Sequence, residues 1–499
     1  MTSDHRDHAG GYARPSISFD GAFDSPANVC LVVLDSVRAA NCSLYGARRE
    51  TTPFLAELAG ESTVYHQARA PSNWSLPSHV SLFTGLETHV HEVTVHDRLE
   101  PGHTVFEELA GEYGYATGLF TENGFVAQHE VGLNGAFETV RSTPEEYADE
   151  YRTSAINPGP NGFYYADRFL EWIDDRGDGP WAACVNLMDA HRPFEPVDRY
   201  DRWGDDRARA LQADLDVRWE WDFHTGEEPM WALRGLESLY DGAIRQVDAV
   251  VERLVRGLRR RGVLDETLLV VCADHGDGFG EPGRLPDEPT AVSHIVPMSE
   301  ALLHVPLLVR HPGTDRRRRD VVRPASLTQF PQIARRVADG RHVPPDAFVP
   351  VGPVVASKQP VTADLRDRYE EVSDPERFFA PSRAVYTPAS GPATTPESLS
   401  GIVRKTYHWG SDTCELLVMD AQSVSRPRGH AAPETAASGT PSADGGVTPD
   451  DRGSPVSDRR RERIEAAFDW FAEVDVATPR EDRSLSAATK EQLASLGYY

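Results

Sequence analysis

An acid at position 35, a serine at 75 and an acid–imidazole pair at 274 and 275 are residue types that together can grip a divalent cation and activate a hydroxyl. Asp35 ends the apolar run NVCLVVL (residues 28–34), and Asp274-His275-Gly276 ends TLLVVCA (residues 267–273). Each run is short, rich in Val and Leu, and stops abruptly at polar residues, the texture of a strand buried on both faces of a parallel sheet. In open α/β sheets, ligands bind just beyond the carboxyl ends of such strands. Two carboxylates, one imidazole and a hydroxyl suit Mg²⁺, Mn²⁺ or Ca²⁺, with Zn²⁺ also admissible, and point to a metal-activated serine attacking an anionic ester. Taken singly, Asp35 reads equally well as a cap for the segment starting at Ser36, and Asp274 as a brace for a turn.

Ser75 lies in WSLPSH (residues 74–79), where Pro77 suits the first turn of a helix. That puts Ser75 at or just before a helix N-terminus, where unpaired N–H groups favour an alkoxide or bound oxyanion. By itself such a serine is an ordinary N-cap. His79 sits one helical turn on, on the same face, as a substrate-side neighbour. His191, in MDAHRPF, and His294, in VSHIVPM, each follow a core segment and could bind the substrate or protonate a leaving group. Either also reads as a hydrogen-bonded loop histidine. Arg38, in DSVR, could face a substrate oxyanion or form a structural ion pair. His89, His91 and His96 alternate in THVHEVTVH, a spacing that fits no zinc signature and reads as a solvated loop.

The elements that must position these groups follow from periodicity. Strands are expected at residues 28–34, 115–121, 181–188, 267–273 and 305–310, alternating with helices as in a doubly wound sheet. Thr52-Pro53 opens a helix by cap and first-turn proline. The longest helix should span about residues 231–261, because Leu236, Leu239, Ala243, Val247, Val251, Leu254 and Leu258 recur at intervals of three and four. Residues 1–25 read as a loose polar lead and 26–345 as one catalytic α/β domain. Residues 346–422 follow as a small sheet subdomain, with strands near 383–387, 401–409 and 414–419. Residues 423–456, rich in Pro, Ala, Ser, Gly and Thr, read as a disordered linker, and 457–499 as a C-terminal helix and tail.

Composition narrows the setting. A formal charge of −27 over 499 residues excludes nucleic acid as a natural partner. Only three of the 51 basic residues are lysines (Lys358, Lys405 and Lys490), and such acidity without Lys points to a halophilic, salt-rich cytoplasm. The five cysteines, odd in number and without CxxC spacing, argue against a disulfide framework or zinc knuckle. The N-terminal MTSDHRDHAGGYARPS lacks an apolar core, and no run approaches the length needed to span a bilayer, so a cytoplasmic protein without membrane insertion is expected.

The stretches NVCLVVLDSVRAANCSLYG, WSLPSHVSLFTGLETHVHEV, NLMDAHRPFEP, TLLVVCADHGDGFGE and LLHVPLLVRHPG occur in one order across most of residues 28–313. Together they resemble the sulfatase branch of the alkaline phosphatase superfamily. The resemblance implies an alkaline-phosphatase-like, doubly wound, mostly parallel α/β sheet with a smaller C-terminal antiparallel-sheet subdomain. It implies one divalent metal held by Asp35, Asp274 and His275, with Ser75 as nucleophile also touching the metal, and His191 and His294 contacting substrate or protonating its leaving group. Three positions depart from the usual sulfatase pattern: His79 replaces the arginine of the nucleophile motif, Ser36 replaces a second acid, and no lysine precedes Lys358. These features look more like phosphonate monoester hydrolases and lipoteichoic-acid-synthase-like phosphotransferases. An unmodified serine suits phosphoryl transfer, since a phosphoserine is released by attack at phosphorus. The expectation is therefore a hydrolase or transferase acting on phosphate or sulfate esters, leaning to phosphoesters. The alternatives are a formylglycine-type sulfatase, a binuclear phosphodiesterase recruiting Asp189, His191 and His294, and a binding protein of the same fold without catalysis.

Overall fold

The computed structural model describes residues 27–127, 131–142, 162–215, 219–313, 316–360, 375–389, 401–422 and 455–479. Its centre is an eight-stranded sheet whose innermost strands are the two apolar runs. Strand β1 (Asn28–Leu34) pairs in parallel with β5 (Trp181–Leu187) on one side and β6 (Thr267–Cys272) on the other. All three strands are buried along their whole length, as continuous Val/Leu/Ala/Cys runs require when helices cover both faces. Adding β2 (Thr63–Tyr65), β3 (Ala116–Phe120), β4 (Thr139–Arg141), β7 (Leu307–Arg310) and β8 (Arg319–Val321) gives the order β8-β2-β7-β6-β1-β5-β3-β4. Only β7 runs antiparallel to its neighbours, β6 and β2. The expected doubly wound, mostly parallel sheet is thus present, with strand ends shifted by one or two residues.

A second, four-stranded antiparallel sheet joins β9 (Val354–Lys358), β10 (Ser382–Pro388), β11 (Val403–Trp409) and β12 (Asp412–Val418) in sequence order. The last three match the expected strands of a small subdomain; β9, too short to show a clear alternation, was not expected. Residues 1–25, most of the expected linker (423–454) and the tail beyond 479 lie outside the described residues.

Four helices matter for the site. Helix α1 (Pro53–Leu58) has its proline at the first position, but Thr52 provides no side-chain cap. Instead Asp248 accepts hydrogen bonds from the Phe54 and Leu55 N–H groups at 2.8 and 2.9 Å, a tertiary cap that local sequence cannot reveal. Helix α2 (Ser75–Thr84) is buried throughout. Helix α3 (Leu233–Arg260) buries all seven residues of the expected stripe and ends before Gly262, whose φ of +74° makes a left-handed stop. Helix α4 (Pro455–Phe468) packs on the small sheet, with Ile464 and Phe468 against Val355 and Val385.

His89 and His91 do not lie in the solvated loop expected but in a short helix, residues 88–91. His91 is buried, with Nε2 3.1 Å from Ser81 Oγ and Nδ1 accepting the Val93 N–H at 3.0 Å. His89 lies on the aromatic rings of Phe468 and Phe471. All five cysteines are buried free thiols.

Candidate active site

The carboxyl ends of β1 and β6 bring positions 35, 274 and 275 together because these strands are hydrogen-bonded neighbours in register, Val33 opposite Cys272. One ligand atom from each of Asp35, Asp274 and His275 lies within 4.8 Å of the others, and all three side chains are fully buried. His275 Nε2 is 3.9 Å from Asp35 Oδ1 and 3.6 Å from Asp274 Oδ2. The turn after β1 is strained: Ser36 has φ of +62°, and its N–H donates to Asp274 Oδ1 at 3.2 Å. Gly276 is needed for a different reason. A Cβ there would lie 2.1 Å from the Ala301 carbonyl oxygen, so only glycine lets the chain after His275 pass so closely.

Ser75 is the first residue of α2, after the extended Trp74, so the helix N-terminus points at this cluster. Its Oγ is 3.2 Å from His275 Nε2. His275 Nδ1 faces the Gly276 carbonyl at 2.8 Å and donates to it, which leaves Nε2 with a lone pair toward the serine and the carboxylates. His79 places Nδ1 2.8 Å from the Ser75 carbonyl and 3.7 Å from Asp274 Oδ2. It therefore braces the first turn of α2 at the edge of the cluster, on the Ser75 face as the spacing required.

Two asparagines complete the surroundings of Asp35. Asn123 and Asn186 donate to Asp35 Oδ2 at 2.8 and 3.2 Å, turning Oδ1 toward His275. Burial pushes the Asp35 carboxyl up, but the charges of His191, His275 and His79, together with the Asn123 amide, hold it below the ordinary carboxylate value. His275 goes the other way: burial disfavours its charge, yet Asp274 and Asp35 outweigh that and raise it.

His191 and His294 flank the cluster. Their rings lie 6.1 Å apart, and the His294 ring is 5.3 Å from that of His275. His191 donates Nδ1–H to the Arg192 carbonyl at 2.8 Å, and Asn73 donates to the His294 carbonyl at 2.6 Å. Burial pulls both imidazoles below their ordinary value. Ser293, just before His294, is another non-glycine residue with positive φ (+53°).

Arg38 does not face this cluster with open donors. Its guanidinium is buried against Phe279, pairs with Glu281 and Glu237, and also donates to Asn41 and the Asp277 carbonyl. The ion-pair reading of Arg38 is the one the geometry favours. Asp189, weighed for a second metal, has both oxygens engaged: Oδ1 accepts from Gln246 at 2.6 Å and Oδ2 from the Gly162 N–H at 2.8 Å.

The chemistry of the donor set fits a hard divalent cation. Asp274 Oδ2 is buried with no hydrogen-bond partner, and no Lys or Arg pairs with either carboxylate among the described residues. Two buried anions with only imidazoles, and no Lys or Arg among the described residues, beside them are costly unless a cation joins them.

Comparison with known proteins agrees with this geometry. The family model described as Sulfatase matches residues 27–337, and the chain belongs to the sulfatase family. Among curated proteins, it is 22% identical to arylsulfatase K of Bos taurus over 348 residues, which is 61% of this chain and 63% of that protein. The murine arylsulfatase K is 22% identical over 57% of this chain and 56% of its own length, so the alignments span less than two thirds of these relatives. Among solved structures, the phosphonate monoester hydrolase of Agrobacterium radiobacter superposes with a TM-score of 0.58 at 17% identity, covering 89% of this chain and 95% of that one. BT4656, solved with D-glucosamine-2-N,6-O-disulfate, gives 0.60 at 14% identity, covering 89% and 97%. At these identities the likeness is one of fold.

Asn123 and Asn186, which hold Asp35, were not singled out in the sequence. One signal was present: Asn186 is a polar residue inside an otherwise apolar strand, VNL, where an amide must serve a partner. Nothing local distinguishes Asn123.

Proposed function

We propose that this protein is a metal-dependent hydrolase, or transferase, of anionic esters in which Ser75 attacks directly. The observation that carries this reading is the Ser75 hydroxyl, at a helix N-terminus and 3.2 Å from His275 Nε2, inside the ring of Asp35, Asp274 and His275. Those three residues would hold the cation, with Ser75 Oγ beside it. When bound, such an ion neutralises ester oxygens and lowers the pKa of the serine hydroxyl.

The remaining work falls to the chain. The first N–H groups of α2 and the Ser75 hydroxyl meet the anionic centre of the ester. His79 holds the first turn through the Ser75 carbonyl, while Asn123 and Asn186 fix the rotamer of Asp35. The Ser75 proton passes by way of His191 or His294 to the departing alcohol oxygen, and in the second displacement the same imidazole takes a proton from the attacking water and returns it to Ser75 Oγ. Ser75 thereby carries the phosphoryl or sulfuryl group between two displacements.

Our preference is for phosphoesters, because phosphoserine is opened at phosphorus and His79 stands where a maturase would meet arginine. The sulfate reading is favoured by the arylsulfatase relatives and has two forms, with Ser75 unmodified or oxidised to formylglycine. The test is turnover of aryl phosphate, phosphodiester, phosphonate and sulfate in Mn²⁺, Mg²⁺ and Ca²⁺ at high salt, by the parent and Ser75→Ala. Metal-dependent turnover lost in Ser75→Ala supports the proposal; turnover unchanged by the substitution overturns it. Loss of two hydrogens in the peptide containing Ser75, seen by mass spectrometry, establishes the formylglycine form instead.

A further inference from the structure

Beside the two histidines stand two cations that no anion among the described residues pairs with. Arg192 follows His191 directly; its side chain is 6% exposed, and its Nε has no hydrogen-bond partner. Asp277 feels its charge, but no carboxylate forms an ion pair with it among the described residues. Lys358, the last residue of β9, is partly buried. Burial lowers its ammonium to about 8, and no carboxylate among the described residues offsets the effect. Holding either cation unpaired at this depth costs stability, and an anion from solution would remove that cost.

The two cations converge on one place. Arg192 directly follows His191, whose ring lies 6.1 Å from that of His294, and Asn73, beside the segment that holds β9, donates to the His294 carbonyl at 2.6 Å. Strand β9 is fastened to the segment leading into Ser75: the Ser357 N–H donates to the Pro71 carbonyl at 3.0 Å, and Ser72 Oγ donates to the Ser357 carbonyl at 2.9 Å. The small sheet thus brings the strand ending at Lys358 against the segment that leads into Ser75. Exposure rises outward: Asp35, Asp274 and His275 are at 0%, Ser75 at 1%, His294 at 8%, and Lys358 lies nearer the surface still. Groups at that level meet the alcohol portion of an ester whose reacting group lies at Ser75.

We infer that Arg192 and Lys358 form a second anion-binding subsite that holds a negatively charged group on the alcohol portion of the substrate. The substrate is then an ester of an alcohol that itself bears a carboxylate, sulfate or phosphate. The inference rests on the assignment of Ser75 as the reacting centre.

The experiment compares esters of phenol, 3-hydroxybenzoate and 3-hydroxybenzenesulfonate carrying the same reacting group, in the parent, Lys358→Gln, Arg192→Gln and Arg192→Lys. A charge-assisted contact predicts that the parent prefers one or both anionic esters by about tenfold in kcat/KM, expressed mainly in KM. The carboxylate and sulfonate arms distinguish the two sources of charge. Lys358→Gln and Arg192→Gln should each erase most of the preference, and Arg192→Lys should restore part of it. Equal handling of anionic and neutral esters by the parent overturns the subsite. So does a preference that survives both substitutions. Equal losses on all three esters in Lys358→Gln overturn it too, since the cations would then hold the transferred group. Calorimetric titration of the parent and Lys358→Gln with 3-hydroxybenzoate and phenol reads the subsite without turnover. Saturable binding of 3-hydroxybenzoate alone, lost in Lys358→Gln, supports it; no binding, or binding unchanged by the substitution, overturns it. Absence of all ester turnover would sink the Ser75 assignment while the calorimetry still decides the subsite.

Discussion

Asp35 shows how much of the proposed metal site rests on residues that would touch no metal. Its Oδ2 is occupied by the Asn123 and Asn186 amides, so only Oδ1 is turned toward His275. Removing such an orienting hydrogen bond typically weakens metal binding by roughly 10- to 100-fold. Asn186→Ala should therefore raise the dissociation constant for Mn²⁺ by about that factor, measured by direct metal titration, while leaving thermal stability much less affected. Unchanged affinity would mean that Asp35 is held by the strand alone. The same substitution frees His79 Nε2, which lies 3.4 Å from the Asn186 amide, so a secondary loss in turnover is expected even at saturating metal. Of these residues, Asp35, Ser75, Asp274 and His275 were legible from the chain because each ends a strand or begins a helix. Asn123 was not: it sits in a loop after β3, and its role depends on β3 lying beyond β5 in the sheet.

The small antiparallel sheet is bound to the large one by a buried charged knot. Glu300, from the segment before β7, pairs with Arg69 and with Lys405 on β11, each at 2.9 Å, and accepts from the Tyr386 hydroxyl on β10 at 2.7 Å. Burial opposes its ionisation, but Arg69 and Lys405 bring its carboxyl down to about 2. A carboxyl depressed in the folded state contributes stability fully above its unfolded value, near 4.5, and loses it as pH falls toward about 2. Unfolding measured between pH 6 and 2 should show this loss, and it should be absent in Glu300→Gln. At neutral pH, Glu300→Gln leaves two buried cations with a neutral partner and should cost about 3–5 kcal/mol in chemical denaturation. Because β9 belongs to the same sheet, loosening the knot should also shift Lys358 relative to Ser75. A Glu300→Gln protein as stable as the parent across that range would show that the knot does not fasten the two sheets.

At the scale of the molecule, the formal charge of −27 sets the dominant long-range term. Like charges on a compact surface repel, and raising salt from 0.1 to 1 M shortens the screening length from about 10 to about 3 Å. Tm should therefore rise as KCl goes from 0.1 to about 2 M; a flat or falling Tm would contradict the reading of the acidity as an adaptation to salt. No helix among the described residues is long and apolar enough to cross a membrane.

Strands β1, β5 and β6 could be found because burial on both faces leaves an unbroken apolar run, and the end of such a run is visible in one dimension. The long helix α3 was equally visible, since a stripe at intervals of three and four survives in the order of residues. Tertiary structure alone decided the rest. Asp248 caps α1 from 193 and 194 positions away, Arg38 is held by Glu237 and Glu281 rather than open to a ligand, and the strand ending at Lys358 is fastened from a second sheet to the segment leading into Ser75. The physical reason is common to all three: hydrogen bonds and charge pairs act over a few ångströms of space, and the chain order carries no record of which distant residue will arrive there.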